Sequence, residues 1–279
     1  MSSSNPEIGK HIQTGDILTN YHDVGEGAPV LLLHGSGPGV SAWVNWRGVL
    51  ASLSGEFQLL APDMAGFGYT ETPQDIDYSR AVWVRQIIDF LDALKLKKVH
   101  LVGNSFGGSL ALALAIQYPE RVEKIVLMGS VGVPFELTAG LDAVWGYQPS
   151  FEGMQSLMRD TFAYDPGLIN DQLVESRYQA SLRTQQAFAA MFPAPRQRWV
   201  DAMAHSEEDI RGIKHPTLMV HGRDDKVIPV ANSLTLHQWI DDSQVHLFGR
   251  CGHWTQIEKG PAFCRLVRDF FQPSQEAGN

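Results

Sequence analysis

The fold is decided by one stretch, Leu101-Val102-Gly103-Asn104-Ser105-Phe106-Gly107-Gly108, which begins inside a plausible strand at 98–102 and precedes the all-apolar segment 110–116. This pattern predicts a strand, a sharp turn and a buried helix of ordinary length that ends before Pro119. Small residues around Ser105 are typical of a nucleophile elbow, in which a strained turn exposes a serine hydroxyl. We therefore predict a catalytic serine in an α/β protein, with a structural glycine-rich turn as the alternative.

A serine hydroxyl is a weak nucleophile at neutral pH, so it needs a base and an acid that orients the base. The segment His221-Gly-Arg-Asp-Asp225 follows one apolar strand, and Cys251-Gly-His-Trp254 follows a second. The order serine, aspartate, histidine is that of α/β-hydrolases. Spacing favours Asp225 over Asp224 as the acid, as does the resemblance described below. The predicted catalytic residues are Ser105, Asp225 and His253.

Histidines elsewhere in the chain are predicted to be structural. Of the ten histidines, only His253 follows the acid in a glycine-containing loop ahead of the last helix. His34 and His221 each precede a glycine at a strand end. None pairs with a second histidine or a carboxylate at zinc-ligand spacing, so we predict no metal.

An oxyanion needs two backbone donors, one of which comes from the residue after the nucleophile, here Phe106. The other comes from a loop after an early strand, and His34-Gly-Ser-Gly-Pro-Gly39 fits that loop. Ser36 stands at the position that would supply the second N–H. The loop does not fit the P-loop pattern or the dinucleotide fingerprint, so we predict no cofactor.

Composition bounds the class of protein. The chain has 279 residues, 44% of them hydrophobic, and a formal charge of −9 from 22 basic and 31 acidic residues. The basic residues do not cluster, which disfavours nucleic acid as a partner. No segment is apolar for long enough to span a bilayer, and Met1 to Pro6 lacks the pattern of a secretory signal. Two cysteines, predicted to be unbridged, favour a reducing compartment, and we expect a cytoplasmic protein.

Alternating strands and helices predict a mostly parallel sheet covered on both faces, the α/β-hydrolase fold. The predicted strands lie near 17–24, 30–33, 57–60, 98–103, 123–128, 217–221 and 244–248. The alternation stops in the segment 134–211, which is rich in aromatic residues and methionine. We predict that 134–211 is a helical cap over the carboxyl edge of the sheet, and that 1–133 and 212–279 form the core domain. The aromatic residues of the cap indicate a mostly apolar pocket, although any one of them could equally serve the core of the cap.

Several motifs resemble those of the meta-cleavage product hydrolases, serine-type α/β-hydrolases that break a carbon–carbon bond. The resemblance covers nearly the full length, and its cap segments are most similar to the 2-hydroxymuconic semialdehyde hydrolases. The motifs are His34-Gly-Ser-Gly-Pro-Gly39 with Trp43-Val-Asn45, Gly103-Asn-Ser-Phe-Gly-Gly108, Leu141-Asp-Ala-Val-Trp-Gly-Tyr147, Arg196-Gln-Arg-Trp199 and Cys251-Gly-His-Trp254.

The resemblance implies a substrate and a set of residues that bind it. Enzymes of this kind hydrolyse 2-hydroxy-6-oxo-2,4-dienoates to 2-hydroxypenta-2,4-dienoate and a short carboxylic acid during aromatic catabolism. Arg177 aligns with the carboxylate-binding arginine, whose forked donors suit a carboxylate; the residues alone would predict a solvated helix position. The resemblance also implies a homodimer. The other residues implied to shape the site are Asn45, Asn104, Trp254, Leu141, Trp145, Phe162, Val200 and Val227.

Two other functions remain open at this point. A carboxylesterase could use the same triad, because fold does not fix substrate; it would leave Arg177, Asn45 and Asn104 without a role. A non-catalytic ligand-binding protein of this fold is disfavoured by an intact set of serine, aspartate and histidine. The residues are compatible both with an acyl-enzyme and with direct attack by water.

Overall fold

A computed structural model describes residues 5–272, so the start of the chain, where we expect no signal, lies mostly outside the described residues. Its centre is an eight-stranded sheet in the order β1-β2-β4-β3-β5-β6-β7-β8. The β1–β2 and β2–β4 pairs are antiparallel and all other pairs are parallel. The strands are β1 (Lys10–Thr14), β2 (Ile17–Val24), β3 (Ala28–Leu33), β4 (Phe57–Pro62), β5 (Val99–Asn104), β6 (Val122–Met128), β7 (Thr217–Gly222) and β8 (Ser243–Phe248).

Helices cover both faces of the sheet. Alternate residues of β3 point to opposite faces, with Leu31 and Leu33 packing among residues of α2 and α3, and Val30 and Leu32 among residues of α1 and α12. The helices are α1 (Ala42–Leu53), α2 (Arg80–Ala93), α3 (Phe106–Gln117), α4 (Ala139–Trp145), α5 (Phe151–Ser156), α6 (Asp171–Arg183), α7 (Gln185–Met191), α8 (Gln197–Met203), α9 (Glu207–Arg211), α10 (Val230–Trp239), α11 (Thr255–Glu258) and α12 (Gly260–Phe271).

The predicted fold is confirmed, with one strand missed. All seven predicted strands are present, and their bounds shift by no more than two residues. The missed strand, β1, is short and mostly exposed, and it pairs with β2 at the edge of the sheet. Such a strand lacks the apolar run that identifies the buried strands. No helix among residues 5–272 has the length and apolar character needed to cross a membrane.

Between 134 and 211, the described structure contains helices α4 to α9 and no strand. Two shorter turns complete this segment, a π-helical turn at Leu157–Phe162 and a 3-10 turn at Pro166–Leu168. Side chains at Ser150 and Asn170 accept hydrogen bonds from the first turns of α5 and α6, which fixes where these helices begin.

The turn between β5 and α3 has the geometry of an elbow. Ser105 has φ 54° and ψ −114°, a conformation that L-residues rarely adopt, and its backbone N–H donates to Met128 O at 2.8 Å. A Cβ on Gly103 would lie 2.5 Å from Gly107 O, and one on Gly107 would overlap the Leu33 carbonyl. These glycines therefore allow β5, β3 and α3 to approach one another at the point where the serine is presented.

We expect Gly107→Ala to lower the free energy of unfolding by about 3 kcal/mol, because the added methyl must displace backbone rather than a flexible side chain. Equilibrium urea unfolding would measure the loss. Gly55→Ala is the matched control, since a Cβ at Gly55 meets no atom within 4 Å. Equal stability of the two variants would show that the close approach at Gly107 contributes nothing.

Candidate active site

A cavity of about 430 Å³ opens at the carboxyl ends of the strands. Loops that follow β3, β5, β7 and β8 line one side of it, and α4, α6 and the turns between α5 and α6 line the other. Most of the residues predicted from the sequence meet here. Those lining the cavity are Ser36, Asn45, Asn104, Ser105, Leu141, Phe162, Arg177, Val227, His253 and Trp254.

The Asp225 carboxylate receives four hydrogen bonds in the loop after β7. Its Oδ1 accepts from the backbone N–H groups of Val227 and Ile228 at 2.7 and 3.0 Å. Its Oδ2 accepts from His253 Nδ1 at 2.7 Å and from His221 Nε2 at 3.1 Å. Burial alone would raise the pKa of Asp225, but the two histidines hold it well below its ordinary value. Asp225 is therefore an ionised acceptor.

His253 is fixed on both its ring and its backbone. Because Nδ1 donates to Asp225, the proton of the neutral ring is assigned to Nδ1, which leaves Nε2 as the basic nitrogen. The His253 backbone N–H donates to Phe162 O at 2.8 Å, and the Phe162 ring stacks on Trp254 with centroids 4.9 Å apart. Ser105 and His253 are each 4% exposed and line the same cavity. The arrangement can therefore supply a nucleophile and a base in a site that is shielded from bulk water.

His221 was not singled out by the sequence, yet it contacts the acid directly. Its Nε2 lies 3.1 Å from both Asp225 Oδ2 and Ile228 O, and its Nδ1 lies 2.7 Å from Ser233 Oγ. Both neighbours of Nε2 are acceptors, so we assign the proton to Nε2 and the Ser233 hydroxyl as donor to Nδ1. His221 is fully buried and does not line the cavity. It positions Asp225 without reaching a substrate.

We expect His221→Phe to lower kcat about tenfold with little change in KM, because a hydrogen bond to a charged group is worth about 1.5 kcal/mol. His221→Gln keeps a donor near Asp225 and should recover part of the loss. Steady-state kinetics on both variants, with their melting temperatures, would test this. If the two variants were equally impaired and equally unstable, His221 would serve packing alone.

The loop after β3 is held by a neutral histidine. His34 Nδ1 donates to Gly35 O at 2.7 Å, and its Nε2 accepts from Met64 N at 2.9 Å. Acceptance at Nε2 requires an uncharged ring, and burial lowers the pKa of His34 to about 4. The prediction of a structural role for His34 agrees with these contacts. The ring fixes the start of the loop that carries Ser36.

Trp145 and Val200 depart from their predicted places, because neither lines the cavity. The Trp145 ring stacks on Phe192 with centroids 4.5 Å apart and planes 8° apart, and its Nε1–H donates to Ser36 Oγ at 2.9 Å. Trp145 thus supports the loop rather than facing the cavity. Val200 is fully buried in the same hydrophobic core cluster as Trp145 and Phe192.

Phe106 begins α3 directly after the serine, and its side chain points away from the cavity. Its ring packs edge-on against Trp83, with centroids 4.7 Å apart. Only its backbone N–H, at the first position of a helix, is suited to an oxyanion.

Arg177 is a buried cation on α6. Its side chain lines the cavity, and the residue is 5% exposed. One terminal nitrogen donates to Gly39 O at 3.1 Å, whereas Nε has no hydrogen-bond partner. Burial lowers the pKa of Arg177 to about 10, so the guanidinium is charged at neutral pH. A buried charge with an unused donor favours an anionic ligand.

Two amides face the same space. Asn104 Nδ2 donates to Asn45 Oδ1 at 3.0 Å, which leaves Asn45 Nδ2 and Asn104 Oδ1 buried without partners. One unused donor and one unused acceptor suit a ligand that carries a hydroxyl or keto oxygen. The remaining lining is apolar at Leu141, Phe162 and Val227.

Both cysteines are buried and unbridged. Burial raises the pKa of Cys251 to about 12, which makes its thiol unreactive although it is close to His253 in sequence. Among residues 5–272, no group of three or more histidine, cysteine, aspartate or glutamate side chains could hold a metal ion.

The comparisons with known proteins agree with this architecture. A family model described as the alpha/beta hydrolase fold matches residues 28–260. The 2-hydroxy-6-oxo-2,4-heptadienoate hydrolase of Pseudomonas putida strain F1 is 59% identical over 97% of this chain and 98% of its own. The 2-hydroxymuconate semialdehyde hydrolase of Pseudomonas sp. strain CF600 is 55% identical over 98% and 97%. The solved meta-cleavage product hydrolase CumD of Pseudomonas fluorescens IP01, a serine-to-alanine mutant complexed with acetates, superposes with a TM-score of 0.94 at 55% identity, covering 96% of this chain and 98% of CumD.

The sheet and the family match show the α/β-hydrolase fold, and the similarity to these relatives makes the chain a serine-type hydrolase of that fold. At 55–59% identity over nearly the full length of both chains, the chain belongs to the meta-cleavage product hydrolases of that family.

Proposed function

We propose that this enzyme hydrolyses the carbon–carbon bond of 2-hydroxy-6-oxo-2,4-dienoates in the meta-cleavage catabolism of aromatic compounds. The substrate would be 2-hydroxymuconic semialdehyde or a 6-alkyl analogue, and the products 2-hydroxypenta-2,4-dienoate and a short carboxylic acid. The observation that carries the proposal is the buried Arg177, with an unpartnered Nε, in one cavity with Ser105 and His253. The names of the relatives described above support the same substrate class.

The polar lining would hold the dienoate end of the substrate. Arg177 would bind the carboxylate through forked donors, and the free amide groups of Asn45 and Asn104 would bind the 2-hydroxyl or 2-oxo group. Trp254, stacked on Phe162, offers a flat apolar wall to the conjugated chain. Leu141 and Val227, with Phe162, would contact the C6 substituent.

The chemistry has two stages, both of which use His253. A dienolate is a poor leaving group, so the substrate must first become the keto tautomer, with a proton added at C5. Ser105 then attacks the C6 carbonyl, or activates the water that does so, while His253 removes its proton. Cleavage leaves hydroxyl on the acyl carbon and hydrogen on the dienol fragment, so one water is consumed per bond broken.

Two backbone N–H groups, of Ser36 and Phe106, would bind the oxyanion that forms at C6. Support for Ser36 comes from the two contacts that hold its loop, His34 against Met64 N and Trp145 against the Ser36 hydroxyl. Preorganised donors of this kind cost no reorganisation when charge develops.

We propose the division into a core of 1–133 and 212–279 and a cap of 134–211. The cap contributes Leu141, Phe162 and Arg177 to the cavity. It is tied to the base through the Glu258 carboxylate, which accepts from Tyr164 N at 2.9 Å and from Gly252 N at 2.8 Å. Movement of the cap would therefore shift the loop that carries His253.

We also propose a cytoplasmic homodimer. The two buried, unbridged cysteines fit a reducing compartment. The β8 strand lies at an edge of the sheet and exposes Leu247 by 41%, which suits contact with a second copy. Sedimentation at micromolar concentration should give twice the 30.9 kDa mass of the chain, and a monomer would contradict the dimer.

Comparing two kinds of substrate tests the proposed function against the carboxylesterase alternative. Purified protein would be mixed with the ring-fission products of catechol and of 3-methylcatechol, and in parallel with a nitrophenyl acetate. Loss of the yellow colour with a far higher kcat/KM than for the ester supports the proposal. Ester cleavage without loss of colour would make the chain a carboxylesterase, and binding without turnover of either would make it a ligand-binding protein.

A further inference from the structure

The active-site cavity extends beyond the triad into a groove between α1 and the start of α12. Ser105 and His253 form its buried inner part. Its outer part, which we call the α1–α12 mouth, is exposed or half-exposed to solvent. The mouth is formed by Arg47, Gly48, Ser52, Ile257, Gly260 and Pro261, all of which line the same cavity as Ser105.

Two glycines face the mouth without a packing reason to be glycine. A Cβ placed on Gly48 or on Gly260 meets no atom within 4 Å, and neither backbone has a positive φ. Gly48 lies inside α1, where glycine is less favourable than alanine by about 1 kcal/mol. The small size of these residues leaves open the space between α1 and α12.

Arg47 is the one cationic residue that lines the mouth among the described residues. Its side chain is exposed and forms no ion pair within residues 5–272. Burial is the main cause that lowers the pKa of Arg177 in the same cavity, and the charge of Arg47 adds a smaller effect in the same direction. Because the chain as a whole carries a charge of −9, a local cation at the opening is needed to offset repulsion of an anion.

We propose that the α1–α12 mouth is the passage by which substrate reaches Ser105, kept open by Gly48 and made favourable for a carboxylate by Arg47. The part played by Arg47 rests on the proposed function, whereas the passage itself does not. Arg47 acts as a specificity-determining residue that attracts the anion toward the buried Arg177, and it takes no part in bond cleavage.

Filling the mouth tests the passage. Gly48→Phe should lower kcat/KM at least about tenfold for both the dienoate and the neutral nitrophenyl ester, with a melting temperature no lower than that of the parent. Ala51→Phe adds the same side chain to an exposed position of α1 outside the lining, and it should leave both values unchanged. Unchanged kcat/KM in Gly48→Phe would overturn the passage. The ester arm reads out the passage even if the enzyme does not cleave dienoates.

Neutralising Arg47 tests the attraction. Arg47→Gln should raise KM for the dienoate about threefold at low ionic strength with kcat unchanged, and the difference should vanish in ~0.5 M salt. Nitrophenyl ester kinetics should not change. Lys97→Gln removes an exposed charge just before β5, at the amino end of that strand and away from the cavity at the carboxyl ends, and is the control for net charge. Equal effects of the two variants, or equal effects of Arg47→Gln on both substrates, would overturn the role of Arg47.

Discussion

Ser105→Ala is expected to lower kcat for the dienoate about 10⁴-fold or more, because serine, base and acid act as a unit and the remaining groups cannot replace the hydroxyl. The Ser105 backbone is held by its bond to Met128 O and by close packing of Gly107, so the variant should keep its fold. Rapid mixing of excess enzyme with substrate would measure both the binding spectrum and the residual rate.

The Ser105→Ala experiment distinguishes a catalytic role of Ser105 from a structural one. Retained binding with lost turnover assigns Ser105 to the chemical step. Turnover within tenfold of the parent would mean that Ser105 is neither the nucleophile nor the group that activates water, and that the elbow is a structural turn. A lower melting temperature with lost binding would instead indicate that the cavity had collapsed.

Arg177→Gln is expected to lower kcat/KM for the dienoate about 10²-fold, because the variant lacks the buried positive charge that binds the substrate carboxylate. The ester, which has no carboxylate, should lose little. Arg177→Lys keeps a charge but loses the forked donors, so its kcat/KM should fall between the two. Measuring both substrates on all three proteins separates these effects.

Arg183→Gln is the matched control for Arg177, since it lies on the same helix, α6, but packs over the Tyr69 ring and does not line the cavity. It should leave both substrates unaffected. Arg177 also donates to Gly39 O, and this bond is a structural contact within the protein. Equal losses on dienoate and ester would assign Arg177 to that role and would remove the main support for a dienoate substrate.

The fold could be predicted because its strongest signals are local in sequence. The apolar strand, the glycines and the apolar helix around Ser105 occur within twenty residues, and each requirement has a steric cause that the structure displays at Gly103 and Gly107. The order of serine, acid and base then placed Asp225 and His253 at neighbouring strand ends, where they form a 2.7 Å hydrogen bond.

Contacts between distant or ambiguous residues could not be predicted in this way. His221 shares one short motif with Asp225, yet a histidine before a glycine at a strand end gives no sign that its ring turns toward the acid. Trp145 was expected in the cavity, but its stacking on Phe192 takes it behind the loop of Ser36. An apolar side chain can pack either in the cavity or against Phe192, and the sequence does not distinguish these two surroundings.

Arg177 lies between these cases. On the residues alone, a polar helix such as α6 predicts a solvated arginine, and only family resemblance placed it in the site. One local signal was available, because Val174, Arg177 and Ser181 fall on one face at helical spacing and all three are buried. A charged residue within a buried stripe is a sign of a ligand or an ion partner.

The central claim is that this chain hydrolyses a carbon–carbon bond, and identifying the products in ¹⁸O-labelled water tests it most directly. With the ring-fission product of 3-methylcatechol, we predict equimolar acetate and 2-hydroxypenta-2,4-dienoate. Oxygen from water should enter the acetate carboxyl group, and C5 of the dienoate, released from the broken bond, should carry hydrogen and no oxygen. Loss of colour without release of acetate, or release of acid only from the ester, would contradict the account.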